Sequence, residues 1–210
     1  MQPKQNSSET LNRDSYNHIA DRWNESRHQF YGREQVYLDT LLAAIPPGGT
    51  VLDLGCGTGR PMAEYVVSQG HHVIGIDQSE AMLTIAQKRL PRQQWILSTL
   101  EAYQPPPGFH AALLWDSLFH IPRTKHESIL RKVIHALPPG GRLMLTVGGS
   151  DHPAFTDEMY DHPFFYDSFT PGTYLELLHS LGCQPVLSEF MNLPDGARNK
   201  GRFAIVAEKT

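Results

Sequence analysis

Three alternate glycines that follow a short apolar run constrain the fold of this chain more than any other feature of its sequence. Residues 51–54 are apolar apart from one aspartate and predict a buried strand, and Gly55, Gly57 and Gly59 predict a tight turn after it. Residues 61–69 form a helix-competent stretch. A strand, a glycine turn and the N-terminus of a helix together make a place where a ligand can lie close to the backbone.

Strands and helices alternate through most of the chain, and their order predicts the fold. Apolar runs bounded by turn residues predict strands at residues 50–54, 72–76, 94–97, 111–115, 142–147, 185–191 and 201–207. Helices are predicted at residues 61–69, 80–90, 125–137 and 171–181. The last two strands pair antiparallel, because their link is too short for a crossover helix. We therefore expect an α/β fold with a doubly wound, mostly parallel seven-stranded sheet, a C-terminal antiparallel strand pair and helices on both faces.

Outside this pattern lie two N-terminal segments and one internal segment. Residues 1–13 are predicted to be disordered, and residues 14–210 to form a single domain. A helix is expected to begin at Asp14, with Asp14 or Ser15 as its N-cap. Together with a second helix at residues 33–45 it would form a cap of two helices over residues 14–45. Residues 148–169 are rich in aromatic and acidic side chains but have no clear period, and such long segments are usually functional or mobile.

The composition of the chain limits the classes of partner that can be expected for it. The net charge of -4 gives no electrostatic reason to expect nucleic acid, and no apolar run is long enough to cross a membrane. Two cysteines are too few for a disulfide framework, which favours a reducing, cytoplasmic location. We therefore expect a small-molecule partner, no nucleic acid, no membrane, and a monomer or homodimer.

The spacing of the glycines bears on which cofactor binds at the turn. A dinucleotide fingerprint places its third glycine where this chain has Arg60, and here a glycine stands one position earlier. Asp77 ends the second strand, and its carboxylate is suited to accept hydrogen bonds from both hydroxyls of a ribose. That argument holds equally for NAD, so Asp77 supports nucleotide binding without choosing the cofactor.

The pattern from Asp53 to Gly59, Asp-x-Gly-x-Gly-x-Gly, resembles the first motif of the class I, Rossmann-like S-adenosylmethionine-dependent methyltransferases of the small-molecule type. The likeness extends over residues 14–208, including the final antiparallel pair. It implies that S-adenosylmethionine is the cofactor and S-adenosylhomocysteine its product. Thr99 departs from the aspartate that the family often has there. The cofactor-binding residues that the resemblance implies are Tyr16, Asp53, Gly55, Cys56, Gly57, Gly59, Asp77, Gln78, Met82, Thr99, Leu100, Glu101 and Trp115.

Candidate catalytic and acceptor-binding residues follow the fourth strand and occupy residues 148–169. His120 is placed to line the pocket and accept a proton, or to be a structural histidine bonded to a backbone carbonyl. Asp116 is placed to orient it or a substrate amine, or to cap the following turn. The resemblance implies that residues 148–169 form a substrate-side insertion. The side chains expected to contact the acceptor are Trp23, Phe119, Tyr160, Phe165 and Tyr166. No metal is expected, because the histidines beside Asp151 and Asp161 have no matching set of carboxylates.

These observations lead to a prediction of function. The chain is expected to be an enzyme that transfers the methyl group of S-adenosylmethionine, by in-line displacement, to a small and partly hydrophobic or aromatic acceptor. Two alternatives are an NAD-dependent oxidoreductase, which Arg60 disfavours, and an S-adenosylmethionine-binding protein without catalysis.

Overall fold

The computed structural model describes residues 8–210, in which strands and helices alternate as far as residue 148. The helices are α1 Ser8–Ser26, α2 Glu34–Leu42, α3 Met62–Ser68, α4 Glu80–Arg89, α5 His126–Ala136 and α6 Pro171–Ser180. The strands are β1 Thr50–Leu54, β2 His72–Asp77, β3 Gln94–Leu97, β4 Ala111–Leu114, β5 Arg142–Gly148, β6 Phe155–Met159, β7 His162–Tyr166, β8 Cys183–Asn192 and β9 Arg202–Lys209.

A seven-stranded sheet in the order β3-β2-β1-β4-β5-β9-β8 forms the centre of the described structure. The first five strands are parallel, whereas β9 runs antiparallel to both β5 and β8. The predicted fold class is thus confirmed. β1 lies between β2 and β4, so the glycine turn after β1 opens at the middle of the sheet, where ligands of such folds bind.

Helices cover both faces of the sheet, because successive side chains of its central strands alternate between the faces. Leu52 of β1 packs in one core cluster with residues of α5 and α6, such as Leu130 and Leu178. Val51 packs in a second cluster with residues of α2 and α3, such as Leu38. All four residues of β4 are buried, as expected for a strand covered on both sides.

The N-terminal helix begins earlier than the sequence indicated. α1 starts at Ser8, so residues 8–13 are helical and not disordered, and Asp14 and Ser15 lie inside the helix instead of capping it. Residues 1–7 lie outside the described residues. The cause is tertiary: the buried amide of Asn12 donates to the backbone oxygens of His120, at 2.8 Å, and of Phe165, at 3.1 Å. These contacts hold a polar segment in a helix that its composition does not predict.

Residues 148–169 contain regular structure that the sequence did not reveal. β6 and β7 form a hairpin in which Met159 pairs with His162. Tyr160 and Asp161 at its tip both have positive φ, of 53° and 64°. Tight hairpin turns of this kind usually carry Gly or Asn, so a Tyr-Asp tip gives no hairpin signal. The hairpin packs against α1, where Phe164 is fully buried and its ring centroid lies 4.8 Å from that of Tyr16.

No helix of residues 8–210 has the length and apolar character needed to cross a membrane. The same residues contain no group of three or more His, Cys, Asp or Glu side chains arranged to hold a metal ion.

Candidate active site

A cleft of ≈ 1000 Å³ opens over the glycine turn, at the carboxyl ends of β1, β2 and β4. α1 and the segment after β4 complete its walls. Most of the residues that the sequence analysis singled out for cofactor binding or catalysis line it: Tyr16, Asp53, Gly55, Cys56, Gly57, Asp77, Gln78, Met82, Leu100, Glu101, Trp115, Asp116 and His120. Trp23, expected to contact the acceptor, also lines this first cleft.

The glycine turn is shaped by close approach of the backbone to its neighbours. Gly55 has a φ of 85°, and a Cβ added there would collide with Ser117 after β4. Gly59 has a φ of 76° but does not line the cleft, contrary to its expected role in cofactor contact. A Cβ on Gly59 would lie 3.2 Å from the ring of Trp95, so this glycine lets the turn pack on β3.

Asp77 joins the glycine turn to the start of α4. Its Oδ2 accepts a hydrogen bond from the backbone N–H of Gly57 and its Oδ1 accepts one from that of Ser79, both at 2.8 Å. Burial raises the pKa of Asp77, and these two hydrogen bonds oppose the shift. Each oxygen keeps capacity for one further hydrogen bond, so the carboxylate is held in place with two acceptor positions left over.

Asp53 is a second acid in the same cleft, and only 4% of its surface is exposed. Burial, together with the negative charge of Asp77, raises the pKa of Asp53 to about 8. At neutral pH most of this carboxyl group is therefore protonated in the ligand-free protein. A cation bound beside it would favour the ionised form.

The residues after β3 differ in part from the prediction. Leu100 and Glu101 line the cleft, whereas Thr99 does not. The Thr99 hydroxyl accepts a hydrogen bond from the backbone of Ala102 at 3.2 Å. The sequence analysis missed Ser98, which lines the cleft and is the first residue after β3. Its position at the end of a parallel strand was the available signal.

His120 is buried, and both of its ring nitrogens have partners. Nδ1 lies 3.0 Å from the carbonyl oxygen of Phe165, which can only accept, so Nδ1 carries the proton. Nε2, at 2.9 Å, then accepts a hydrogen bond from the hydroxyl of Tyr16. Burial lowers the pKa of His120 to about 4, although the Phe165 carbonyl opposes the shift. The ring is therefore neutral near pH 7 and is a weak base.

Comparisons with known proteins agree with this geometry. A family model described as a methyltransferase domain matches residues 51–141. Trans-aconitate 2-methyltransferase from Paracidovorax citrulli is 34% identical over 127 residues, which are 59% of this chain and 49% of that protein. The putative methyltransferase YqeM from Bacillus subtilis is 31% identical over 153 residues, which are 66% of this chain and 61% of that protein.

Among solved structures, a similar one is 1,6-didemethyltoxoflavin-N1-methyltransferase from Burkholderia thailandensis, with bound 1,6-didemethyltoxoflavin and S-adenosylhomocysteine. Its TM-score is 0.68 at 26% identity, with 94% of this chain and 84% of that chain covered. The chain thus resembles S-adenosylmethionine-dependent methyltransferases, and its residues 51–141 match a methyltransferase domain. It spans 49% and 61% of the lengths of the two curated relatives above.

Residues outside 51–141 contribute Glu34, Arg27 and Arg202 to a buried charge network that was not predicted from the sequence. Glu34, at the start of α2, is fully buried. Its carboxylate accepts hydrogen bonds from the guanidinium groups of Arg27 (2.8 Å) and Arg202 (2.9 Å) and from the indole N–H of Trp115 (3.0 Å). Burial alone would raise the pKa of Glu34, but Arg27 and these hydrogen bonds hold it below its usual value.

Asp116 belongs to the same network. The Nε atom of Arg202 lies 2.6 Å from Oδ1 of Asp116. The backbone of Asp116 has a φ of 54°, and its N–H donates to the hydroxyl of Thr146 at 2.7 Å. The Thr146 hydroxyl in turn donates to Oδ1 of Asp116 at 3.0 Å. Asp116 is thus paired with Arg202, and no hydrogen bond joins it to His120 among the described residues.

A second cleft, of ≈ 1090 Å³, lies at the carboxyl end of β5. It is lined by the hairpin, by the segment before β9, and by Phe119 and Tyr166, both expected to contact the acceptor. Tyr160 and Phe165, which were also expected to contact the acceptor, line neither cleft. The hydroxyl of Tyr160 donates a hydrogen bond to Oγ of Ser26 at 2.7 Å. Phe165 points to the face of β7 opposite Tyr166, because side chains alternate along a strand.

The two clefts share a wall of side chains. One part of the wall is the ion pair of Asp116, in the first cleft, with Arg202, in the second. The other part is a contact between the rings of His120 and Tyr166, whose centroids are 4.8 Å apart. The clefts are therefore adjacent.

Proposed function

We propose that this chain binds S-adenosylmethionine in the first cleft and transfers its methyl group to a small, partly aromatic acceptor. The observation that carries the nucleoside part of the proposal is the Asp77 carboxylate, fixed by Gly57 and Ser79 beside the glycine turn. Two hydroxyls on neighbouring ribose carbons match its two remaining acceptor positions. The similar methyltransferase from Burkholderia thailandensis has S-adenosylhomocysteine bound, which supports this assignment.

The other residues of the cleft fit the rest of such a molecule. Leu100 and Met82, both largely buried, offer apolar surface for the adenine. Asp53 offers a carboxyl group to an ammonium, and the rings of Tyr16 and Trp23 can face a cation. When bound, S-adenosylmethionine supplies a methyl group that its sulfonium makes electrophilic.

Charge separates this function from dinucleotide binding. The first cleft contains the carboxyl groups of Asp53 and Asp77, while its two arginines are already paired. Arg27 binds Glu34, and Arg60 binds Glu64 at 3.0 Å. A pyrophosphate would bring negative charge to acids without a free cation, whereas a sulfonium and an ammonium bring positive charge. NAD is therefore the poorer fit.

The protonation state of His120 bears on which kind of acceptor atom the site suits. A base whose pKa is about 4 is inefficient in removing a proton near neutral pH. The site is better suited to an acceptor atom that already has a free lone pair, such as a carboxylate oxygen or an aromatic nitrogen. Two of the similar proteins are named for trans-aconitate and for a toxoflavin N1 position, which are acceptors of these two kinds. The chain's part is then to orient the acceptor and exclude water.

Two measurements test the proposed function. Calorimetry should detect binding of S-adenosylhomocysteine but not of NAD, and the reverse result would contradict the assignment of the cleft. Incubation of metabolite extracts with methyl-labelled S-adenosylmethionine, followed by mass spectrometry, should yield a labelled small molecule. Cofactor binding with no labelled product in extracts from several sources would instead indicate a binding protein without catalysis.

A further inference from the structure

The second cleft has an aromatic wall that cofactor binding does not use. The rings of Phe155 and Tyr166 are stacked, with centroids 5.2 Å apart and planes at 16°. Phe119 continues the stack, with its centroid 6.1 Å from that of Tyr166 and its plane at 29°. Residues from β6, β7 and the turn after β4 therefore present three rings to one cavity. Such a wall favours a planar, conjugated ligand over a saturated one.

Most of the charges around this cleft neutralise one another. Asp157 binds Arg198 through two hydrogen bonds of 2.7 Å. Asp167 binds the guanidinium group of Arg123. Arg202 is shared between Asp116 and Glu34, as described above. These paired groups contribute little net charge to a ligand.

Lys200 is a charged residue of this cleft that is not part of these ion pairs. Its ammonium donates one hydrogen bond, to the carbonyl oxygen of Ala197 at 2.6 Å, and lies 5.9 Å from the ring centroid of Phe155. It forms no salt bridge with a carboxylate of residues 8–210, so two of its N–H donors and its charge are uncompensated there. The remaining acid of the cleft, Asp195, is exposed at the turn and accepts a hydrogen bond from the backbone of Ala197. A half-buried cation thus stands at the edge of the aromatic wall.

We propose that the second cleft binds a planar, conjugated carboxylate, packed against the aromatic wall of Phe119, Tyr166 and Phe155 and with its carboxylate at the ammonium of Lys200. The identification of this ligand as the methyl acceptor rests on the proposed function, because the wall shared with the first cleft is what brings the two ligands together. The binding itself does not depend on methyl transfer and is measurable without it.

Three matched probes test the two parts of the proposal by calorimetry on the full chain. Trans-cinnamate has a planar ring, a conjugated double bond and a carboxylate. Cinnamamide keeps the plane but replaces the carboxylate by a neutral amide, and 3-phenylpropionate keeps the carboxylate but loses the conjugation. We expect trans-cinnamate to bind about tenfold more tightly than cinnamamide, the factor typical of one charge-assisted hydrogen bond. It should also bind more tightly than 3-phenylpropionate.

Substitutions of Lys200 and Phe155 test whether the probes bind in the second cleft. Lys200→Gln should remove the preference for carboxylate over amide, whereas Lys88→Gln, at an exposed lysine of α4, should leave it unchanged. Phe155→Ala should weaken both planar probes by similar factors. Equal binding of acid and amide, a preference that survives Lys200→Gln, or no binding of any probe would each overturn the proposal. Selective binding of trans-cinnamate by a chain that does not bind S-adenosylhomocysteine would support the second cleft while contradicting the proposed function.

Discussion

The hydroxyl of Tyr16 donates a hydrogen bond of 2.9 Å to Nε2 of His120, and this bond closes α1 over the first cleft. The two residues are 104 positions apart in the chain. The Phe165 carbonyl accepts from the other ring nitrogen and fixes His120 in one tautomer, and burial keeps the ring neutral. This pair explains why a histidine that the sequence suggested as a base is better described as a fixed hydrogen-bond acceptor.

The buried, neutral His120 should make stability depend on pH. Its pKa is about 4 in the folded chain and ~6.5 when unfolded, so the unfolded state binds the proton first. The contribution of neutral His120 to the free energy of unfolding is fully present above pH 6.5. It is lost as the pH falls from 6.5 towards 4, by up to about 3 kcal/mol. Urea unfolding at pH 7.5 and pH 5 should show a smaller drop for His120→Gln than for the original chain. Equal drops in the two proteins would contradict the assigned protonation state.

Replacement of Asp77 by Asn should weaken binding of S-adenosylhomocysteine by about 100-fold, as expected from the loss of two charge-assisted hydrogen bonds. The amide also places a donor against the N–H of Gly57 or of Ser79, so the turn itself is disturbed. Calorimetry measures the change, with Asp39→Asn as a control at an exposed carboxylate that binds Tyr65. Unchanged affinity in the Asp77 variant would contradict the ribose assignment.

The carboxyl group of Asp53 should couple cofactor binding to pH. Its pKa of about 8 falls when an ammonium binds beside it, so binding releases a proton and tightens as the pH rises from 6 to 8. The affinity for S-adenosylhomocysteine should increase by up to about tenfold per pH unit in this range. Asp53→Asn should bind with little pH dependence. Calorimetry in buffers with different ionisation enthalpies counts the released proton, and a release that persists in Asp53→Asn would point to another group.

Glu34→Gln should destabilise the chain by about 3–5 kcal/mol, because it leaves the buried guanidinium group of Arg27 and the partly buried one of Arg202 with one carboxylate between them. A matched control is Glu189→Gln, which breaks the more exposed pair with Arg33 and should cost at most about 1 kcal/mol. Urea denaturation measures the free energy of unfolding of both variants. The double variant Glu34→Gln, Arg27→Gln should recover part of the loss, since it also removes one of the unpaired cations. Strictly additive losses in that cycle would show that the two residues are not coupled.

Local sequence was sufficient to predict the seven strands of the main sheet and the glycine turn. β1 and β3 have the predicted bounds, and Ser79, a residue type typical of helix N-caps, caps α4 with its Oγ accepting from the backbone N–H of Met82 at 3.2 Å. Such features depend on residues within a few positions of one another. The hairpin was missed for the same reason, because the Tyr-Asp tip lacks the local signal and the packing of Phe164 against α1 replaces it.

The sequence by itself determined the order of strands and helices, the glycine turn and the position of Asp77 at the end of β2, because apolar periodicity and turn chemistry act over short distances. The tertiary structure alone decided which groups near the turn are charged, paired or free. Glu34 meets Arg202 across 168 residues, and His120 meets Tyr16 across 104. Burial and these distant partners set the protonation of each group, and neither can be read from neighbours along the chain.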